Sequence, residues 1–529
     1  MGQTHSSKQR PQTSAEELSH YLAERFADQS FNGVELYSFK DNFRTLADVH
    51  KSGAGRGGLL YWSEDTLAKF LAIPDCLEVG PILFRSVSYI GAFPFPSLAP
   101  AVLDFEALVK VVVILTGRYK SVIRRRRPDS LRLLFRSLAV YDRGIQHEGE
   151  GGGRVGEGKG KTIDVSVSLG DGGDEGDEGD EGDEGDGTGE EDEDDLSLAA
   201  LDALDAIEVF GHSERLNIHR ARIPLDILKK LTAFLLVIAP LEPNQSIAEF
   251  ADRLTPEALV GVRGAAECIL RGFRCEDEKG MLYRDFKLSI KRALPYMFTP
   301  LKPLFEHLLF SKKVDMSIAT PSNNPEPSMP LLPIEGQIMD LNLLSQLSFF
   351  IPGTHLWRRL RPLYVGSEAG FSMGSFETKV LKWSAPTILL VSGTRLPFPA
   401  ETHAQRAFLD RIPSKKYSQS SGNQCTGRLV FRASRSSTEY AYFNKDDGVG
   451  FGSPIQKLKN HYHHRGQSYL NLGSVSLTFD HSLEYGVFQN TGDGGTYHSG
   501  READYYSRDV FEIEEIEVWG CGGNSEAEA

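Results

Sequence analysis

The sequence predicts an α+β protein with a helical N-terminal part and a β-rich C-terminal part. Apolar residues recur at helical spacing from Ala15 to Phe310, whereas short alternating runs separated by glycine-rich turns follow Leu360. A glycine-rich acidic segment interrupts the helical part at residues 146–195. With 529 residues, 40% of them hydrophobic, the chain is long enough for more than one core.

The first helical part is expected at residues 15–145, after a flexible N-terminus at 1–14. Ser63-Glu64-Asp65 is typical of a capped helix start before Leu67, Phe70 and Leu71. The predicted helices are Ala15–Asp28, Ser63–Ile73, Phe105–Leu115 and Leu131–Tyr141.

The segment at 146–195 is interpreted as a disordered linker. It repeats Gly-Asp-Glu, and Asp171–Asp195 contains 16 acidic residues and no lysine or arginine. Glycine entropy and like-charge repulsion both oppose compact structure there. The net charge of −15 is therefore almost entirely local, and the rest of the chain is close to neutral. A strongly basic nucleic-acid surface is accordingly not expected.

A second helical part is expected at residues 196–312, followed by a linker at 313–329. The two helical parts are expected to form one region, because the acidic segment only interrupts them. The apolar run Leu231–Leu241 contains Pro240 and is too short to span a bilayer, so it is interpreted as a core helix. The predicted helical stretches are Leu196–Phe210, Leu225–Ile238, Ile247–Leu254, Glu257–Phe273 and, broken by prolines, Phe286–Phe310.

Residues Cys275–Phe286 resemble an EF-hand loop that has lost its ligands. Gly280 occupies the position of the sharp turn, and Leu282 the hydrophobic position after it. Cys275, Lys279 and Phe286 stand where calcium requires oxygen donors. We expect an EF-hand-like helix-loop-helix without tight calcium binding.

The region at 330–523 is expected to be β-rich, with a short tail at 524–529. Thr387–Val391, Val475–Phe479 and Tyr485–Phe488 read as strands. The last run, Phe511–Val518, changes its phase of alternation at Glu514-Glu515, which indicates a β-bulge.

Several spaced motifs in this region resemble the TLDc family. They begin at Trp357-Arg358-Arg359-Leu360 and end at Glu517-Val518-Trp519-Gly520, and their order matches that family. The motif positions that we single out are Gly370, Phe371, Phe376, Phe451, Gly452, Gly486, Glu517, Trp519 and Gly520. Together with the N-terminus, they resemble a fungal group of the family, the restriction of telomere capping protein five group.

The resemblance implies a TLDc β-sandwich flanked by helices and a non-enzymatic regulatory role. It implies binding to peripheral subunits of the vacuolar proton pump (the V-ATPase), an effect on pump assembly, and oxidative-stress protection as a consequence. The group name also links the protein to telomere capping. No cofactor or metal is implied.

The motif residues have structural interpretations as well. Gly370, Gly486 and Gly520 are expected in turns, and Phe371 and Trp519 in the core. Glu484 and Glu517 either make surface contacts or anchor turns by accepting backbone hydrogen bonds.

The start, Met1-Gly2-Gln3-Thr4-His5-Ser6, fits N-myristoylation of Gly2. One acyl chain gives weak, reversible membrane association, and Lys8 and Arg10 are the only nearby cations. We expect a cytoplasmic protein that also reaches the vacuolar membrane peripherally.

The alternative function is a redox-protective enzyme with Cys425 or Cys521 as the reactive thiolate. Five scattered cysteines favour a reducing compartment over a disulfide framework. The cluster His461, His463 and His464 lacks the spacing of a metal site. Arg124–Arg127 is interpreted as a solvated helix end, with anionic headgroups or the acidic linker as other partners.

One departure from the family concerns the central strands. Only Arg432–Glu439 separate Phe431 from Tyr440-Ala441-Tyr442-Phe443, where the family has further strands. Either the sequence lacks an exon through a gene-model error, or the domain has lost strands and exposes an unpaired edge.

Overall fold

The structure is a computed structural model. It describes residues 14–50, 59–123, 130–141, 195–203, 218, 221–273, 280–310, 330–353, 356–413, 441–445, 447–453, 469–491 and 507–522. Several expectations from the sequence lie outside these residues: Gly2, Arg124–Arg127, the linker up to Asp194, Cys275–Lys279, Cys425, the segment after Phe431, and the histidine cluster.

The N-terminal region is helical, as the sequence predicts. Its helices are α1 (Ala15–Ser30), α2 (Gly33–Leu46), α3 (Glu64–Leu71), α4 (Gly80–Gly91), α5 (Phe105–Leu115), α6 (Tyr119–Val122), α7 (Ser130–Leu138), α8 (Asp195–Ala203), α9 (Leu225–Val237), α10 (Pro256–Leu270), α11 (Tyr283–Arg292) and α12 (Leu301–Glu306). The sequence-based interpretation did not identify α2 or α4. Ile247–Leu254, predicted as helical, forms a 3₁₀-helix.

The first three helices of this region start with side-chain caps. At α1, the Ser14 side chain accepts from the Glu17 amide while the Glu17 side chain accepts from the Ser14 amide. Asn32 and Glu35 make the same reciprocal pair at α2. Ser63 accepts from the Thr66 amide at α3, which confirms the capped start predicted there.

Helices from both sides of the acidic segment share one hydrophobic core. Leu22, Phe135 and Val112 from the first part belong to the same buried cluster as Phe234 and Phe305 from the second. The acidic segment is therefore an insertion between helices that pack together.

Two small antiparallel sheets accompany the helices. β1 (Asp48–His50) pairs with β2 (Leu59–Tyr61). A second sheet has the order β3-β4-β5, with strands Val140–Tyr141, Ala221–Ile223 and Met281–Leu282. The predicted helix Leu131–Tyr141 thus ends at Leu138, and its last two residues form β3 instead.

The EF-hand-like segment contributes β5 and then α11. Gly280 has a φ of 106°, so a left-handed residue stands at the position predicted for the sharp turn. Phe286, at the twelfth loop position, is fully buried in the helical core. An apolar side chain there cannot ligate calcium.

The C-terminal region combines a curled antiparallel sheet with four helices. Its elements are α13 (Leu341–Leu347), β6 (Leu360–Val365), α14 (Gly366–Ala369), α15 (Met373–Val380), β7 (Thr387–Arg395), α16 (His403–Asp410), β8 (Ala441–Asn444), β9 (Gly448–Phe451), β10 (Val475–Phe479), β11 (Tyr485–Asn490) and β12 (Ser507–Cys521). The strand order is β6-β12-β11-β10-β9-β8, with β7 also paired to β12. The expected β-sandwich takes the form of one continuous sheet.

Strand β12 is the centre of this sheet. One of its edges pairs with β11 and then with β6, while β7 runs along the other edge. Its pairing with β7 shifts between Ile513 and Glu515, which confirms the predicted bulge. A second shift, against β6, lies between Val518 and Trp519.

A buried lysine joins α1 to α5 in the helical core. Lys110 is 4% exposed, and its Nζ donates to Ser19 Oγ at 2.7 Å. Burial lowers the pKa of Lys110 to about 8, against opposing effects of Asp104 and Glu106. At neutral pH the ammonium is therefore charged in surroundings that disfavour its charge.

We expect Lys110→Met to stabilise the protein at pH 7. Lys110 keeps its proton up to about pH 10.5 in the unfolded chain, but only up to about pH 8 in the folded protein. Below pH 8 the folded state carries the full cost of the buried charge, and this cost disappears as the pH rises between these values. Removing the charge should raise the free energy of unfolding by about 2–3 kcal/mol at pH 7.

Chemical denaturation at pH 7 and pH 10 measures this difference. Lys120→Met, at an exposed position of α6, is the matched control and should leave stability nearly unchanged. A stabilisation by Lys110→Met that is equal at the two pH values would contradict the electrostatic explanation.

Candidate functional site

Two glutamates of β12 are buried in the sheet domain. Glu515 is 6% exposed and Glu517 is fully buried. A carboxylate that leaves water requires hydrogen-bond donors inside the protein. The bulge in β12 explains why the two consecutive glutamates differ in exposure. Glu514 is exposed, whereas Glu515 faces inward.

Glu517 joins the end of β12 to the segment before α13. Its Oε1 accepts from the Ile338 amide at 2.7 Å, and its Oε2 accepts from the Met339 amide at 3.1 Å and from Trp519 Nε1 at 2.9 Å. A Cβ at Gly336 would lie 2.5 Å from Oε1, so only glycine fits there. Of the two expectations for Glu517, the structure confirms that it anchors a turn.

Glu515 holds the start of α14. Its carboxylate accepts from the Ser367 amide at 3.1 and 3.3 Å and from the Ile516 amide at 2.9 Å. A helix start offers unpaired amides and the positive end of the helix dipole, so an anion is stabilised there. The sequence-based interpretation did not single out Glu515, although the phase change of β12 was the signal that it faces inward.

The Glu515 carboxylate also influences the pKa of the neighbouring Tyr364. Burial and, secondarily, the charge of Glu515 raise the pKa of Tyr364 to about 12. Its hydroxyl donates to the Gly370 carbonyl at 3.0 Å. The phenol therefore stays protonated and positions the turn at Gly370.

Both carboxylates are engaged by amide and indole donors of the protein itself. This arrangement is suited to holding chain segments together. We therefore interpret the pair as a structural centre that shapes the surface around it.

The motif glycines have different roles from one another. Gly370 has a φ of 79° and Gly452 a φ of 70°, so both occupy the left-handed region that favours glycine. Gly486 and Gly520 were expected in turns, and this is wrong. They lie within β11 and β12, where a Cβ would meet the rings of Phe511 and Trp383 at 2.6 Å.

The motif aromatics also divide into buried and exposed residues. Trp519 is fully buried, as expected, and Phe376 is 3% exposed with its ring 5.2 Å from that of Tyr364. Phe451 is partly buried against the same core. Phe371 was expected in the core, but it is 37% exposed, because it precedes α15 at the rim of the turn made by Gly370.

Strand β8 is an edge strand of the described sheet. It pairs with β9, and a cavity of about 610 Å³ beside it is lined by Glu377, Asp447 and residues 441–445. Phe443 stacks on Phe376 at a centroid distance of 6.2 Å. Lys445 pairs with Glu377 at 3.6 Å on the rim. The strands predicted to be missing would precede β8, and that segment lies outside the described residues.

The thiol of Cys521 is poorly suited to redox chemistry. Burial raises its pKa to about 11, so it stays protonated at neutral pH, whereas reactive cysteines have lowered pKa values. Across the part of the chain that the structure describes, no group of three or more His, Cys, Asp or Glu side chains could hold a metal ion. No helix among the same residues is both long and apolar enough to cross a membrane.

We expect Glu517→Gln to destabilise the sheet domain by about 2–4 kcal/mol. The glutamine would offer one oxygen to three donors, and its own amide group would face N–H groups. Thermal unfolding followed by circular dichroism measures the effect.

Glu514→Gln is the matched control, since it makes the same change at an exposed position of the same strand. It should shift the midpoint little. Equal midpoints for the two variants would show that the buried hydrogen bonds of Glu517 do not hold β12 in place.

Comparison with known proteins agrees with this architecture. The family model "TLDc domain" matches residues 332–522. A protein from Leptosphaeria maculans called "Restriction of telomere capping protein 5" is 42% identical over all of this chain and 92% of its own length. Its counterparts from Colletotrichum graminicola and Neurospora crassa are 40% and 37% identical, with the same coverage.

The alignment with the Leptosphaeria maculans protein extends over 597 positions, so that relative has residues with no counterpart among the 529 of this chain. The alignment nevertheless covers the helical region as well as the sheet domain. The chain therefore belongs to the TLDc domain family, within the group of "Restriction of telomere capping protein 5" proteins.

Proposed function

We propose that the protein is a non-enzymatic adaptor that binds peripheral subunits of the V-ATPase and influences pump assembly. The observation that carries the proposal is the TLDc domain at 332–522, since the family resemblance implies this partner. The saturated hydrogen bonds of Glu515 and Glu517 support a binding role over catalysis. Oxidative-stress protection would then follow from pump activity.

Phe371 is the motif residue best placed to contact a partner. Gly370 turns the chain by its positive φ, and Ser372 caps α15 by accepting from the Ser375 amide. Phe371 is held between these two fixed points, and its ring also lies close to Gly366. A partly exposed aromatic side chain on rigid backbone is typical of an interface anchor.

We expect Phe371→Ala to weaken binding of the full-length protein to the purified peripheral sector of the pump at least tenfold. Its exposed position should leave the melting temperature nearly unchanged. Phe398→Ala is the matched control, because Phe398 is 88% exposed and lies outside the family motifs. Biolayer interferometry with immobilised pump sector provides the dissociation constants.

The controls distinguish an error in the proposed function from an error in the role assigned to Phe371. If the wild-type chain shows no binding, the proposed function is wrong. If the wild type binds but Phe371→Ala and Phe398→Ala bind equally well, only the assignment of Phe371 is wrong.

Membrane attachment through Gly2 is a further part of the proposal. A myristoyl chain alone gives marginal binding, so the pump would supply the second contact at the vacuolar surface. We expect Gly2→Ala to move the protein into the cytosolic fraction while its affinity for the soluble pump sector stays the same. Gln3→Ala preserves Gly2 and serves as the control in cell fractionation.

A Gly2→Ala protein that stays on the vacuolar membrane at the wild-type level would contradict acyl attachment. The redox alternative is disfavoured at Cys521, because burial raises the pKa of this thiol to about 11, and its other candidate, Cys425, lies outside the described residues. The telomere wording belongs to the names of the relatives, and the nearly neutral chain outside the acidic segment does not favour nucleic-acid binding.

A further inference from the structure

Strand β7 lies at an edge of the sheet, yet its sequence is typical of a central strand. Among the described residues it pairs with β12 alone, so its other edge faces no strand there. The run from Thr387 to Thr394 contains no charged residue and no proline. Its continuous apolar part, Ile388 to Val391, is typical of a strand in the interior of a sheet.

The other terminal strands of the described sheet carry features that protect an edge. β6 contains Arg361 and Pro362, and β8 is only four residues long and is followed by Lys445. Charge, proline and short length each hinder pairing with a further strand. In contrast, β7 has nine residues and carries neither a charge nor a proline before its last residue, Arg395.

Both faces of β7 are apolar. Ile388 and Leu390 are buried in one core of the sheet domain. Leu389 and Val391, which alternate with them, are only partly buried against another core. A strand added along the second edge of β7 would cover the remaining apolar surface of these two side chains and would pair with the backbone groups of that edge.

A second copy of the chain offers a matching strand. When two β7 strands pair antiparallel about a two-fold axis at Val391, all nine residues of each take part, and the flanking Pro386 and Pro397 stay outside the pairing. Arg395, the one charged residue of the strand, then lies opposite Thr387. Because no like charges meet in this register, it is electrostatically compatible with pairing.

We propose that the protein forms a reversible homodimer in which the β7 strands of two copies pair and join their sheets. The contact is closed, because each copy has used its β7 edge once the pair has formed. One pair of strands is a smaller interface than that of a permanent dimer, so we expect the association to depend on concentration. The inference does not depend on the identity of the partner of the TLDc domain.

Analytical ultracentrifugation of the full-length protein tests the proposal. We expect the fraction of dimer in the wild type to rise with protein concentration. Val391→Lys places two ammonium groups opposite each other at the two-fold axis, so the dissociation constant of the dimer should rise at least tenfold. Val380→Lys is the matched control, because Val380 is partly buried against the same core but lies on α15. It should dimerise as the wild type does.

Val391→Cys provides a second variant should Val391→Lys fail to fold, since a thiol is close to valine in size and polarity. Residues directly opposite each other in an antiparallel pair are close enough for a disulfide. Mild oxidation with oxidised glutathione should therefore link two copies through position 391. Val380→Cys is the control and should give no link through position 380, as peptide mass spectrometry of the oxidised proteins can show.

Two results in the centrifuge would overturn the proposal: a wild-type protein that stays monomeric at every concentration, or a dimer that Val391→Lys and Val380→Lys weaken equally. In a folded Val391→Cys protein, linkage through position 391 that does not exceed the linkage through position 380 in Val380→Cys would equally contradict the pairing of β7 with its copy.

Discussion

The carboxylate of Glu517 is the interaction on which the architecture of the sheet domain depends. It lies at the strand that pairs with three others, and it accepts from two backbone amides of a segment 179 and 178 residues earlier in the chain. The third donor is the indole of Trp519 on the same strand. An unpaired carboxylate at this depth would cost several kcal/mol, so the three donors and the strand position each other.

This constraint extends from the sheet to the helical region. The segment that Glu517 holds leads directly into α13, and α13 contacts α9 and α10 as well as the core around Trp519. Gly261 on α10 faces α13 so closely that a Cβ there would lie 2.7 Å from Asn342 Nδ2. The placement of α13 therefore depends on the Glu517 carboxylate of β12 on one side and on the buried Arg253 on the other.

Buried charges in this protein differ in what surrounds them. Glu515 and Glu517 accept from backbone amides, and these hydrogen bonds fix the segments that the two side chains hold. Lys110 and Arg253 have neutral acceptors, and burial lowers the pKa of each. The glutamates are therefore held by donors that match their charge, whereas burial disfavours the charge of the two cations.

The sequence by itself determined the family and much of the secondary structure. The period of the apolar residues predicted α5 at Phe105–Leu115 and β10 at Val475–Phe479 with their observed ends, and the phase change at Glu514-Glu515 predicted the bulge, because such patterns follow from local backbone geometry. The ordered motifs from Trp357 to Gly520 identified the TLDc domain in the same way.

Only the tertiary structure decided how the motif residues are used. Gly486 and Gly520 lie in strands against aromatic rings, and Phe371 lies at the surface, since these roles depend on neighbours distant in sequence. The backbone amides that donate to Glu517 and the serine that accepts from Arg253 are likewise remote along the chain, so no local pattern indicates them. Local periodicity specifies which face of an element is apolar, whereas the choice of what covers that face is made by the packing of the whole chain.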